Sequence, residues 1–560
     1  MNKTEMKRIF PILALLMTAL FAFAQPKDAW KAAAKLTAYD ATGAEIYTGI
    51  AFFIDADGTL VAPYIPFTKA VRANVTDSKG KTFAVRRILG ASENYGFVRL
   101  SSDARKMDYL MPISGDAEAA SAGSKLYAVG YLRTKKEAPV AVIVNKAEKY
   151  DAAMFYETTL PADAKYVGCP LVDGNGRVVA VVGTHGGEAL DIRFATALAI
   201  TANSALDREL RALPMPKGLP TSEEEAMKYI TLIDAIDPAS ALLAMDDFVL
   251  AYPANASGYV TRAARRATNK DYSGAESDFA SALAHADRTT TSDAIHYAFS
   301  RSLYNAAIND TTAPAAGWSY ERALQEAEVA FSANSLPLYQ MQLGSCLFAL
   351  ERYAEAYDQY MAVNSSPIAS DETFFTAMLA LERAGGDSAR VLALMDSVIA
   401  RQKHPYTQRA ASYFLERAQR LFAYGQYRRA VADYNEFERI IGPRNLTDTF
   451  YYLREQAEMR ARMYQQALDD IQSAALSASA DRKPYYQVEE ALIYLTCGEY
   501  EQAKNVGNAA LTCLPKHIDL LRILAVAYGE TGDKTKACEL LNRARELGDA
   551  TVDTLLKKYQ

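Results

Sequence analysis

Tyr166 to Val182 reads YVGCPLVDGNGRVVAVV, and its grammar is that of two short strands about a tight turn. Pro170-Leu171-Val172 is one apolar run, Asp173 to Gly176 is turn chemistry, and Arg177 to Val182 is a second apolar run. The same grammar extends outward over about Asp28 to Leu210, in AEIYTGIAFFIDADGTLVAP (44 to 63), KLYAVGYL (125 to 132), PVAVIVNKAE (139 to 148) and RVVAVVGTH (177 to 185). The first part of the chain is therefore expected to be all-β. Asp55 to Gly58 and Asp173 to Gly176 superficially suggest acidic calcium loops. Neither continues into the further oxygen ligands that calcium needs, so both are read as hairpin turns.

Four short motifs occur in order in this part. They are Gly49-Ile50-Ala51-Phe52-Phe53-Ile54-Asp55-Ala56-Asp57-Gly58-Thr59-Leu60-Val61, then Gly96-Phe97-Val98-Arg99-Leu100, then Val167-Gly168-Cys169-Pro170-Leu171, and finally Phe194-Ala195. With these motifs the first 210 positions resemble trypsin-like peptidases of the high-temperature-requirement type, which implies a double β-barrel over residues 25–212. In that resemblance Ile65 occupies the position of the general base, Gly96 that of the acid and Val167 that of the nucleophile. A serine peptidase needs a hydroxyl, an imidazole to take its proton and a carboxylate to orient the imidazole. Ile65, Gly96 and Val167 supply none of these, so the expectation is a pseudopeptidase with no catalytic residues. The alternative is a divergent peptidase that recruits substrates through its repeats, with Cys169 as thiol and His185 as base.

After Leu213 to Pro220, a Pro-rich stretch read as a linker, the pattern becomes helical. Units of one kind recur: Asp271-Tyr272-Ser273-Gly274-Ala275, Arg352-Tyr353-Ala354-Glu355-Ala356, Gln426-Tyr427-Arg428-Arg429-Ala430, Met463-Tyr464-Gln465-Gln466-Ala467 and Glu499-Tyr500-Glu501-Gln502-Ala503. Weaker units place Ala241, Ala323, Ala389 and Ala537 at the same anchor position. Most intervals lie close to a period of about 34 residues, and the longest contains 310–317, read as an extended loop. These units resemble tetratricopeptide (TPR) repeats. The resemblance implies an all-α superhelix of about eight to nine helix pairs over 221–549, closed by a capping helix at 550–560 whose outer face carries Asp553, Lys557 and Lys558. The shared aromatic position also accounts for part of a tyrosine load of 35 against two tryptophans.

In such an array the first helix of each pair lines the concave face. Counting back from the anchors places Leu338, Met341, Phe348, Leu415, Phe422, Tyr452, Met459 and Tyr485 there. This is an apolar and aromatic surface, suited to a helix or an extended apolar peptide of a protein partner, or to being filled by the chain itself.

The remaining composition narrows the function. A net charge of −6 leaves no basic footprint for nucleic acid. Lys3, Lys7 and Arg8 precede an apolar run from Ile9 to Ala22 that ends in Ala22-Phe23-Ala24, so residues 1–24 are expected to be an export signal and the mature protein periplasmic or secreted, with no membrane span after its removal. Five scattered cysteines make no framework. They are read as buried small side chains, with Cys497 to Cys513 or Cys538 as a possible bridge. No spacing suggests a metal or other cofactor. The expected function is a noncatalytic interaction scaffold in the cell envelope.

Overall fold

The computed structural model describes residues 28–115, 118–130, 139–150, 153–184 and 186–560. The expected signal at 1–24 and His185 lie outside the described residues. Among the described residues no helix is long and apolar enough to cross a membrane. The chain divides into two compact units, the first running to Ser302 and the second from Leu303 to Gln560.

The first unit holds two closed antiparallel barrels. Strands β1 (Ala33–Tyr39), β2 (Glu45–Phe53), β3 (Thr59–Pro63), β4 (Arg72–Thr76), β5 (Thr82–Ser92) and β6 (Phe97–Ser102) close in the order β1-β2-β3-β6-β5-β4. Strands β7 (Lys125–Ala128), β8 (Val140–Tyr150), β9 (Ala153–Thr158), β10 (Pro170–Val172), β11 (Val178–Val182) and β12 (Glu188–Asp191) repeat that order as β7-β8-β9-β12-β11-β10. Closure leaves no strand edge open, and this duplicated topology fits the trypsin-like double barrel. The hairpin turns share one device. Asp55 Oδ1 accepts the backbone N–H of Asp57 and Thr59, and Asp173 Oδ1 accepts those of Asn175 and Arg177. Asp40 and Asp77 do the same in two further turns. The carboxylates thus serve backbone donors that a tight turn would otherwise leave bare.

Residues 213–220 depart from the linker expected there. Leu213 and Met215 are buried at 1 % exposure on either side of exposed Pro214, an alternation that sends both into the core of the first barrel. The backbone is tied to β5: Ile88 N–H donates to Pro216 O at 2.9 Å and Gly218 N–H to Ile88 O at 2.8 Å. Helices α1 (Glu223–Asp234) and α2 (Pro238–Ala251) continue the same core with Tyr229, Ile230, Met245 and Phe248. Arg87 of β5 holds Asp247 of α2 through two hydrogen bonds of 2.6 and 2.8 Å. The first helical hairpin is therefore built onto the barrel.

Eight further hairpins follow among the described residues: α3 (Ala256–Thr268) with α4 (Tyr272–Ala284), α5 (Ser292–Asn309) with α6 (Tyr320–Ala333), α7 (Pro337–Ala349) with α8 (Tyr353–Asn364), α9 (Asp371–Arg383) with α10 (Ser388–Ala400), α11 (Gln408–Ala423) with α12 (Tyr427–Ile441), α13 (Asp448–Ala461) with α14 (Tyr464–Ser477), α15 (Lys483–Thr496) with α16 (Tyr500–Cys513), and α17 (Ile518–Glu530) with α18 (Lys534–Glu546). In eight of the nine hairpins the anchor alanine is the fourth residue of the second helix and is fully buried, which lets two backbones approach closely. Ala389 is the exception: it is exposed, and the fourth position of α10 belongs to Val391 at 0 % exposure. Residues 310–317 are also more ordered than an extended loop, with a 3-10 turn at Ala313–Ala316 and fully buried Trp318 just after it.

A short helix closes the described chain. Helix α19 (Asp553–Tyr559) buries Leu556 and Tyr559 while Asp553, Lys557 and Lys558 face solvent. The ring of Tyr559 lies where a Cβ on Gly529 would stand, 2.4 Å from Cε1, so glycine is required at that contact.

Candidate functional site

Two surfaces carry the residues singled out by the sequence. The first is a cavity of about 550 Å³ in the first unit, lined from the first barrel by Tyr64, Ile65, Glu93, Tyr95 and Gly96 and from the second by Phe155, Gly183, Thr184 and Glu188. Ile65 opens the 3-10 turn after β3 and is 60 % exposed, so a large apolar side chain faces water where the resemblance expects an imidazole. Gly96 sits in the turn between β5 and β6 at φ +74°, and its carbonyl accepts the Tyr64 N–H at 2.8 Å. The fold thus brings Ile65 and Gly96 together. Val167 does not line that cavity. It is half-buried beside Gly168, whose φ of +80° and close approach to Pro63 Cγ and Ile50 O leave no room for a side chain.

Around the cavity, burial and neighbouring Glu93 push the Tyr64 hydroxyl pKa up. Among the described residues lining the cavity there is no serine, cysteine, histidine or lysine. Cys169 is 1 % exposed and packed in the core of the second barrel with Leu171, Val181 and Ile192. Cys346 is likewise buried, whereas Cys497 and Cys513 are exposed thiols, so the burial expected of all five holds for only some.

The second surface lies in the second unit. None of the eight concave-face residues is fully buried: Leu338 is 42 % and Tyr485 54 % exposed, and Met341, Phe348, Leu415, Phe422, Tyr452 and Met459 are half-buried. Local packing orients them. Phe348 meets Tyr353 edge-on at 5.2 Å and Phe422 meets Tyr427 edge-on at 5.5 Å, in each case across the turn of one hairpin. Tyr485 reaches His517 at 6.2 Å. Leu492, 36 % exposed and two turns beyond Tyr485 on α15, extends the apolar face. It is legible by the same counting from Ala503.

One set of functional groups was not anticipated. Arg262, Arg417 and Arg454 each clamp an aspartate sixteen residues later, Asp278, Asp433 and Asp470, through Nε and Nη2 at 2.6 to 2.9 Å. The third nitrogen reaches back to an acid on the preceding hairpin: Asp246 at 2.8 Å, Asp396 at 2.6 Å and Glu438 at 2.6 Å. The signal was present in the sequence, because each aspartate follows its anchor alanine by three positions. These are positioning groups that join successive hairpins.

No family model matches the chain, and no curated protein matches it. Among solved structures it is similar to YrrB, described as a TPR protein with an unusual peptide-binding site, at 15 % identity over 36 % of this chain and 98 % of that one, with a TM-score of 0.30. It is also similar to two structures of MamA, both at 17 % identity. One covers 30 % of this chain and 92 % of that one at a TM-score of 0.26, and the other 32 % and 91 % at 0.27.

Proposed function

We propose that this protein is an exported, noncatalytic interaction scaffold of the cell envelope, in which a pseudopeptidase barrel pair carries a TPR array that holds a peptide or protein partner. The observation that carries the reading is a row of apolar side chains on first helices, in which Leu338, Tyr485 and Leu492 are exposed and Met341, Phe348, Leu415, Phe422, Tyr452 and Met459 are half-buried. Apolar side chains aligned at helical spacing and left to water suit an apolar helix or strand. The barrel cavity agrees with a binding role, since Ile65 and Gly96 provide neither base nor acid and the thiol of Cys169 is out of reach.

A photocrosslinking residue at Leu338 or Tyr485 in the full chain should give adducts to a distinct partner in the native envelope. One at Leu476, more accessible still at 83 % exposure, should not. Adducts that stay within the chain would show a self-filled groove and end the partner reading. Labelling of Cys169 by a peptide-based thiol probe would instead restore the peptidase alternative.

A further inference from the structure

The core of hairpin α13–α14 holds more buried negative charge than it has cations to answer. Glu455, Glu458 and Asp470 are 1 %, 3 % and 6 % exposed, and the one cation among them is Arg454 at 7 %. Arg454 is already committed: it gives Nε and Nη2 to Asp470, and Nη1 to Asn435 and Glu438 of α12. Glu455 receives a single neutral hydrogen bond, from Gln456 Nε2 at 2.7 Å. Glu458 Oε2 is buried without any partner, while the Glu458 and Asp470 carboxyl groups stand within hydrogen-bonding reach of each other. Two carboxylates cannot share that contact without a proton between them.

The neighbouring elements add no cation. Helix α12 contributes Glu438, α14 contributes Asp470, and α15 contributes Glu489, with Asp519 of α17 behind it. Glu490 of α15 is taken by Gln472 at 2.9 Å. The Arg482–Asp448 pair, at 2.8 Å, is at the other end of α13.

We propose that hairpin α13–α14 is a proton-held latch, in which a proton shared by Glu458 and Asp470 fastens the two helices and its loss releases them. Burial supports it, raising the pKa of Glu458 and Asp470 above their usual range and taking Glu455 up to about 8. Tyr452 and Met459 ride on α13, so release displaces that part of the apolar face. This last consequence rests on the groove reading; the latch itself does not.

Amide hydrogen exchange of the full chain between pH 5.5 and 9, corrected for intrinsic rates, tests the latch. Opening of residues 450–476 should rise up to tenfold per pH unit for each proton released, then level off once the folded groups have titrated, while α17–α18 stays flat. Glu458→Gln, which keeps the shape of the protonated acid, should lower that slope, and Glu455→Gln with Glu458→Gln should abolish it. The latch is refuted if the two hairpins follow the same pH course in the unsubstituted protein, a comparison that needs no variant to fold, or if the slope survives the double substitution.

Discussion

Hairpins α13–α14 and α17–α18 share one backbone plan and differ in what surrounds the helix crossing. Both bury an alanine, Ala467 or Ala537, as the fourth residue of the second helix. Around the first lie Arg454, Glu455, Glu458 and Asp470; around the second lie Leu520, Leu524, Leu540 and Leu541, all fully buried. The difference separates what specifies the hairpin from what fills it. A small residue at the helix crossing and a left-handed turn residue set the geometry, and the interior can then be ionic or aliphatic.

Removing the keystone of each interior tests this most severely. Arg454→Ala strands Asp470 and Glu438 beside two further buried acids, and breaking a buried pair on one side costs about 3–5 kcal/mol. Leu524→Ala removes only apolar contact and leaves a cavity, at about 2–5 kcal/mol depending on how far its neighbours collapse. Denaturant unfolding of the two variants should show both losses. Only the first should shrink on acidification, because protonating the stranded carboxylates removes their charge.

The interiors also predict different responses to pH. Burial raises Glu455 from the ordinary carboxylate range to about 8, so the folded hairpin holds a proton that the unfolded chain gives up near 4.5. Its contribution to stability is therefore complete below about pH 4.5 and is lost as pH rises through 8. Each pH unit within that window costs at most about 1.4 kcal/mol. Glu455→Gln should be close to neutral at pH 5 and stabilise by roughly 1–3 kcal/mol at pH 8, read from thermal unfolding at the two pH values.

These interiors also mark where the sequence stopped being legible. The anchors were readable because alanine spacing survives any choice of core, and the hairpin turns because Asp55 and Asp173 act on their own neighbours. Ala389 misled because an alanine two positions early looks the same in one dimension, whereas burial selects Val391. The linker reading failed at Leu213 and Met215: prolines announced a break, and the alternation beneath them was a strand-like segment docking on β5. In the Arg454 cluster the recurring aspartate three positions after the anchor was legible, but a charged residue at a helical position is ordinarily solvent-facing, and only the third dimension shows Glu438 and Glu458 joining Asp470 there. In the cavity, Ile65 and Gly96 were placed by resemblance and do meet. Val167 was placed by the same frame and does not line the cavity, although its neighbour Gly168 packs on Pro63 just before Tyr64 and Ile65.

The turn that both hairpins share gives the smallest predicted effect. Gly532 of α17–α18 adopts φ +95° with open space around its α-carbon, and Arg462 of α13–α14 holds φ +62° at the corresponding position with an exposed side chain. An L-residue in this region pays about 1–2 kcal/mol of steric strain, partly offset because glycine has more freedom to lose on folding. Arg462→Gly should therefore stabilise by roughly 0.5–1 kcal/mol and Gly532→Ala should destabilise by about 1 kcal/mol, compared by denaturant midpoints at constant slope. Opposite signs would show that the turn is a module independent of the core it closes. A loss of stability in Arg462→Gly would mean that the ionic hairpin draws on Arg462 in a way the aliphatic one does not need.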